Sequence, residues 1–421
     1  MISSCVSLRN NYLGKAERDV VVQFHDTKKL AVIESLRQFY NNKTDSLLLI
    51  INHKKPQNKH LTASEINQLY SNFGEQLDND RVFNGILHRK NRHNDHLSKI
   101  ERYAGARLLL SAKQYHFSYG KNYNVRRNLN RGDLANNIPP NLLNASRNYL
   151  YSTSIRKALA KKKYEMNDAT DSILQLLPRT NIFKASIYRL NLRTDILYTS
   201  SRWILHTVGN KLLNKTPDPL FHRAYQRKYA QQLLSVIKPY DILLMRSPNF
   251  LSNELIPGYL GHASIWLGAE VKKRNRHKIF YHTKMTIHTR GMAEAIKSGV
   301  KMSTLRNFAE GETYFILRLK DITDDEKKLV LKHTSSQMGK NYDFNFDLES
   351  SDEINCTELI YLAYDFINWK VNSFLGRYTI FPDDILSTAQ DNNRFEIVAI
   401  LKNGVLIPHP DIVAIKACMN D

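Results

Sequence analysis

The apolar pattern changes period near residue 239, and the charge changes at the same place. Residues 1–240 carry 39 Lys+Arg against 17 Asp+Glu, a net of +22, whereas residues 241–421 carry 22 against 23, a net of −1. A chain in which periodicity and charge both break at one point is built from two parts. At 421 residues, 42 % of them apolar, each part is long enough to bury a core. The expected organisation is a basic, mainly helical region over residues 1–235 and an α+β domain over residues 236–421.

Helical periodicity dominates the first part. "KKLAVIESLRQFYNN" (28–42) places Leu30, Ile33, Leu36, Phe39 and Tyr40 on one face. "TASEINQLYSNFGEQL" (62–77) opens with Thr62 and Glu65 three residues apart, a capping-box spacing. Longer amphipathic runs cover 96–117, 153–166, 168–177 and 219–237, and the Asn, Gly and Pro content of 130–144 predicts a turn. In the second part, short apolar runs at 238–247, 261–268, 278–285 and 313–320 read as strands. "TDDEKKLVLKHTSSQMG" (323–339) reads as a helix capped by Thr323 with Glu326 and closed by Gly339. A polar loop follows, and then a helix that begins at Cys356. Strands clustered beside helices, without strict alternation, define the α+β class.

The three cysteines, Cys5, Cys356 and Cys418, form no disulfide framework, and no C-x-x-C pair suggests zinc. A reducing compartment is the simplest reading, and neither metal nor cofactor is expected. The start, "MISSCVSLRNNYLGKAERD", lacks the basic-then-apolar order of a signal peptide, and Cys5 follows too short a segment for an ordinary lipoprotein cysteine. No run approaches the roughly 18 apolar residues of a membrane-spanning helix. The expectation is a cytoplasmic protein, or one exported without a standard signal, with no transmembrane helix.

Cys356 is the residue with chemistry to explain. At the first turn of a helix, unpaired backbone N–H groups and the positive end of the dipole favour thiolate over thiol. The thiolate is a nucleophile, and the same N–H groups can hold an oxyanion. A base must come from elsewhere in the chain. His262 enters an apolar strand beside a glycine, with Ser264, Trp266 and Gly268 on its side by period 2. Glu294 in "GMAEAIKSGV" is the first choice for the group that orients the imidazole, with Glu270 and His282 as alternatives. Tyr342 and Asp343 precede the loop into Cys356, where they either line the cleft against substrate or form the turn. Glu358 sits in the first turn of the same helix, where a carboxylate complements the dipole.

The wording around these residues resembles the NlpC/P60 superfamily of papain-like thiol enzymes, in its circularly permuted branch, the YiiX/YaeF-like amidases. "KPYDILLMRS" and "IPGYLGHASIWLG" look like the branch's opening strand and histidine strand, and "AEAIKSGVKMSTLRNF" is similar to the acidic segment that follows. "GKNYDFNFDLESSDEINCTELIYLAY" looks like its cysteine segment, and "GRYTIFPDDILSTA" resembles the stretch after it. The branch runs His first and Cys last, as here. The resemblance covers roughly residues 236–400. It implies a permuted papain-like domain with a small antiparallel sheet, Cys356 as nucleophile, His262 as base and Glu294 as the orienting residue. "VKKRNRH" (271–277) looks like an inserted loop between the last two.

The implied activity is a cysteine hydrolase that cleaves an amide bond, in a peptide or an acyl-amide, through an acyl-cysteine. The Asn355-Cys356 pair also resembles the lecithin:retinol acyltransferase-like branch, which acts on acyl lipids, although Thr357-Glu358 departs from its Glu-His. A third reading, of a different class, is a catalytically silent binding module. The expected partners are a peptide- or acyl-containing substrate and, through the basic residues 1–235, an anionic membrane surface. Nucleic acid ranks lower, because no RRM, KH, zinc or helix-turn-helix signature accompanies the basic stretch.

Overall fold

The computed structural model describes residues 27–54, 60–87, 99–120, 123–133, 135–152, 219–246, 258–274, 276–281, 284–348, 353–374 and 377–420, with a few single positions between 155 and 175. The chain divides into two compact units, residues 1–61 with 65–198, and residues 62–64 with 199–421.

The first unit is helical. Its helices are α1 (Thr27–Lys54), α2 (Ala63–Leu87), α3 (Lys99–Ser118), α4 (Tyr123–Arg131) and α5 (Leu142–Leu150). Helix α1 runs beyond the expected 28–42. Phe39, expected on its apolar face, is half exposed, and burial falls instead on Thr44, Leu47, Leu48 and Ile51. The expected turn at 130–144 is a tight loop closed by paired Asp133–Ile138 backbone bonds of 2.8 Å. Gly132 enters it at φ +85, a backbone conformation that favours glycine. The interior of this unit is partly polar: Asp80 accepts from the hydroxyls of Ser111 and Tyr115, both at 2.6 Å. The helices expected at 153–166 and 168–177 lie outside the described residues apart from isolated helical positions.

The second unit is built on a seven-stranded antiparallel sheet. Its strands are β1 (Asp241–Arg246), β2 (His262–Trp266), β5 (Met292–Ile296), β6 (Gly299–Ser303), β7 (Thr313–Leu319), β10 (Phe395–Lys402) and β11 (Val405–Pro408), in the order β11-β10-β7-β1-β2-β5-β6. Strands β3 (Ala269–Arg274) and β4 (Arg276–Tyr281) form a separate two-stranded ribbon, as do β8 (Asn372–Phe374) and β9 (Arg377–Thr379). The stretch read as an inserted loop at 271–277 is therefore the tip of a hairpin, and the strand expected at 278–285 belongs to that hairpin and not to the main sheet. Strands β5 and β6 were not expected: "MAEAI" has few β-branched residues, and cross-strand pairing overrides its propensity.

Helix α6 (Pro219–Val236) lies before residue 236, yet its Tyr229, Ala230 and Leu233 join Leu243, Met245, Trp266, Met292, Tyr314 and Ile316 in one buried cluster. These sheet residues share a face by the pairings Leu243↔Ser264, Met245↔His262 and Met245↔Tyr314. The short helix α7 (Leu305–Phe308), capped by Thr304, adds Leu305 and Phe308 to the same cluster. Helix α8 (Asp324–Gln337) has the expected capping box of Thr323 with Glu326. Helix α9 (Cys356–Ala363) packs against β2, β5 and α8, and all of its residues are buried. Burying Leu359 and Ile360 there contributes roughly 1.5–3 kcal/mol each. The unit is completed by α10 (Pro382–Asp391) and α11 (Ile412–Asn420).

Candidate active site

Cys356 is the first residue of α9, and Asn355 is its N-cap. The Asn355 side-chain oxygen accepts from the N–H of Thr357 at 3.0 Å and of Glu358 at 2.9 Å. Glu358 returns the bond, accepting from the Asn355 N–H at 2.9 Å and from its side-chain amide at 2.8 Å. This capping box fixes the helix start beneath the thiol. It also consumes two of the N–H groups that a bare helix N-terminus would offer an oxyanion.

His262 is placed by strand register. Ser264 of β2 stands opposite Glu294 of β5, so the two share a face, and His262, two residues before Ser264, is the diagonal neighbour of Glu294. His262 Nε2 lies 3.1 Å from Glu294 Oε2. Cys356 is the other group that acts on the His262 ring, favouring its charged form. With Nε2 committed to Glu294, Nδ1 is the ring nitrogen left for the sulfur. The imidazole ring packs against Phe308, with centroids 5.9 Å apart.

Electrostatics follow from that sandwich. Burial works against the charged imidazole, yet the hydrogen bonds and charges of Cys356 and Glu294 outweigh it and raise the His262 pKa to about 10. Glu294 is itself buried, which disfavours its charge, but His262, Ser303 and Lys301 together hold it below the usual carboxylate range. The pair is therefore imidazolium and carboxylate at neutral pH, a setting that suits an anionic sulfur on the other side of the ring.

Tyr342 reaches the same point. Burial, followed by the charges of Cys356, Glu358 and Asp343, pushes its pKa well above the ordinary phenol value. It stays protonated, a donor beside the sulfur. Asp343 takes a different place. It is fully buried, and its two carboxylate oxygens accept from the N–H of Asn345 at 2.8 Å and of Asp347 at 2.9 Å. A side chain so placed closes its own turn and does not line a cleft. Burial first, then the charges of Asp347 and Glu353, raise its pKa to about 6 against the pull of the two N–H bonds. Glu358 is driven well above its ordinary value, by burial first and then by Asp343. It acts as a cap, as the dipole reasoning expected.

Structure and expectation thus agree in bringing Cys356, His262, Glu294 and Tyr342 together. Glu270 is turned elsewhere, with Oε1 3.6 Å from Arg290 Nε, and His282 lies outside the described residues. Phe308 and Ser303 were missed. The signal for Ser303 was available in principle, since strand alternation after the Ser298–Gly299 turn puts Lys301 and Ser303 on the face of Glu294. Among the described residues, no cluster of three or more His, Cys, Asp or Glu side chains is placed to hold a metal ion, and no helix is long and apolar enough to cross a membrane.

A helix-borne cysteine near a strand histidine that is backed by a carboxylate is the constellation that papain-like thiol hydrolases use. The comparison with known families agrees: residues 236–399 match the family described as permuted papain-like amidase enzyme, YaeF/YiiX, C92 family. This match supports a cysteine hydrolase of the amidase or peptidase kind. No curated protein and no solved structure matches the chain.

Proposed function

We propose that the second unit hydrolyses an amide bond in a peptide or acyl-amide through an acyl-Cys356 intermediate. The observation that carries this reading is the His262 ring held between Cys356 and Glu294. The Cys356 thiolate attacks the substrate carbonyl carbon, a C–S bond forms, and the carbonyl π pair moves onto oxygen. With the Thr357 and Glu358 N–H groups taken by Asn355, the donors for that oxyanion are the Cys356 N–H and the Tyr342 hydroxyl. As the C–N bond breaks, imidazolium His262 gives its proton to the leaving nitrogen. Water then attacks the thioester and His262 takes its proton. Collapse releases the acid and restores the thiolate, while Glu294 keeps the ring oriented throughout.

The test is the pH dependence of Cys356 alkylation by iodoacetamide, in wild type and in His262→Ala, with Cys5 and Cys418 replaced by Ser. The wild-type sulfur should react rapidly at about pH 6, where an ordinary thiol is almost fully protonated. His262→Ala should lose that reactivity. If Cys356 reacts as an ordinary thiol and ignores His262, the hydrolase reading fails and a binding role takes its place.

A further inference from the structure

Cys356 and His262 come from segments almost a hundred residues apart, on a helix and a strand that pack together. One short segment touches both. On one side, the Thr357 hydroxyl, next to Cys356, donates to the Ile380 carbonyl at 2.7 Å. On the other, the Asp383 carboxylate accepts from the N–H of Tyr259 at 2.7 Å and of Leu260 at 2.9 Å, the residues that lead into His262. Between these contacts the chain is stiff. Phe381 caps α10, Pro382 fixes its first turn, and Asp384 accepts from the Phe381 N–H at 2.8 Å.

The segment that Asp383 grips is held from other directions as well. The Arg246 guanidinium lies 4.1 Å over the Tyr259 ring, and the Gly261 N–H donates to the Met245 carbonyl at 3.0 Å. Gly258 has φ +120, and a Cβ there would collide with the Asp383 carboxylate. The fit is therefore close, with one carboxylate meeting two consecutive amides.

Resting on the thiol-hydrolase reading, we propose that Asp383 is a positioning residue. Through Ile380–Asp383 it ties the His262 strand to the Cys356 helix and sets the separation of base and nucleophile. It touches neither substrate nor sulfur and acts through His262. A misplacement of about 1 Å at such a pair costs on the order of a hundredfold in rate, so even partial loss of the tie is measurable.

The experiment is the same alkylation profile, in the Cys5→Ser, Cys418→Ser background, for Asp383→Ala, Asp383→Asn, His262→Ala and the double variant Asp383→Ala with His262→Ala. Asp383→Ala should lose about tenfold or more of the rate at about pH 6. Asp383→Asn, which keeps one acceptor, should fall between it and wild type. In the His262→Ala background, Asp383→Ala should change nothing further, because its effect runs through the imidazole. A residue that only supports stability would lower the melting temperature and leave the pH profile alone. If Asp383→Ala does not fold, Asp383→Asn and Thr357→Val, which cuts the other end of the tie, carry the test. The inference is overturned if folded Asp383 variants keep the wild-type profile while His262→Ala loses it. If wild type and His262→Ala already coincide, the hydrolase reading itself has failed and the inference falls with it.

Discussion

Replacing Glu294 by Gln should lower the pKa of His262 by about one to two units from its value of about 10. The magnitude follows from the geometry. An imidazolium and a carboxylate with charge centres about 4 Å apart attract by about 4 kcal/mol at an effective dielectric of 20. At 1.36 kcal/mol per unit, that is about three pKa units. Gln keeps an acceptor for the Nε2–H, so part of the loss is recovered. The change is close to isosteric, and the 3.1 Å contact has room for the amide. The assay is an NMR titration of imidazole carbon shifts. The chain has 15 histidines, so the His262 signal must be identified by its absence in His262→Ala. An unchanged His262 titration in a folded Glu294→Gln protein would show that the carboxylate is not in electrical contact with the ring, and the orienting role would go with it. A shift of the opposite sign would refute the whole electrostatic account, since removing a nearby anion can only weaken the imidazolium.

Two further outcomes follow from the cap and its loop. Asn355→Ala removes the α9 cap and the side-chain amide donor to buried Glu358, which keeps only the backbone N–H of residue 355, so it should cost about 1–2 kcal/mol, read as a lower urea midpoint, with a larger loss pointing to the half-satisfied carboxyl. Asp343 has a folded-state pKa raised from 3.8 to about 6, so the native state holds more protons than the unfolded chain across that window and stability falls as pH rises through it. Asp343→Asn should flatten the dependence of the urea midpoint between about pH 4 and 6, and a wild-type-like slope in the variant would place the proton uptake elsewhere.

Much of the catalytic unit is legible in the residues themselves. Cys356 announces a helix start because Asn355 and Glu358 flank it at cap spacing, and both cap bonds are made. His262 reads as a strand entry because apolar alternation begins there. The pairing of His262 with Glu294 is harder to read. It depends on the register Ser264↔Glu294, and 29 residues between the two positions contain the β3–β4 hairpin, whose basic composition reads as a loop. Strands β5 (MAEAI) and β6 (GVKMS) are hard to read because their pairing partners, and not their own propensities, make them strands. The shared face that commits α6 to the second unit cannot be read from charge, since Lys228 and Arg227 continue the basic pattern of the residues before them. Asp383 was equally hidden: nothing in "FPDD" says which of two adjacent carboxylates caps the helix and which reaches back to Tyr259 and Leu260.

The β3–β4 hairpin leaves the sheet after β2 and returns before β5, and its base is pinned where the Leu267 N–H donates to the Gly291 carbonyl at 2.8 Å. Its length is therefore free of the active-site geometry. A change of length between β3 and β4 should leave Ser264 opposite Glu294. Such a place lets descendants of this gene acquire a new surface, or an experimenter graft an epitope or a fluorophore, while the machinery beside it keeps its alignment. Evolvability and chemical precision are housed in adjoining turns of one chain.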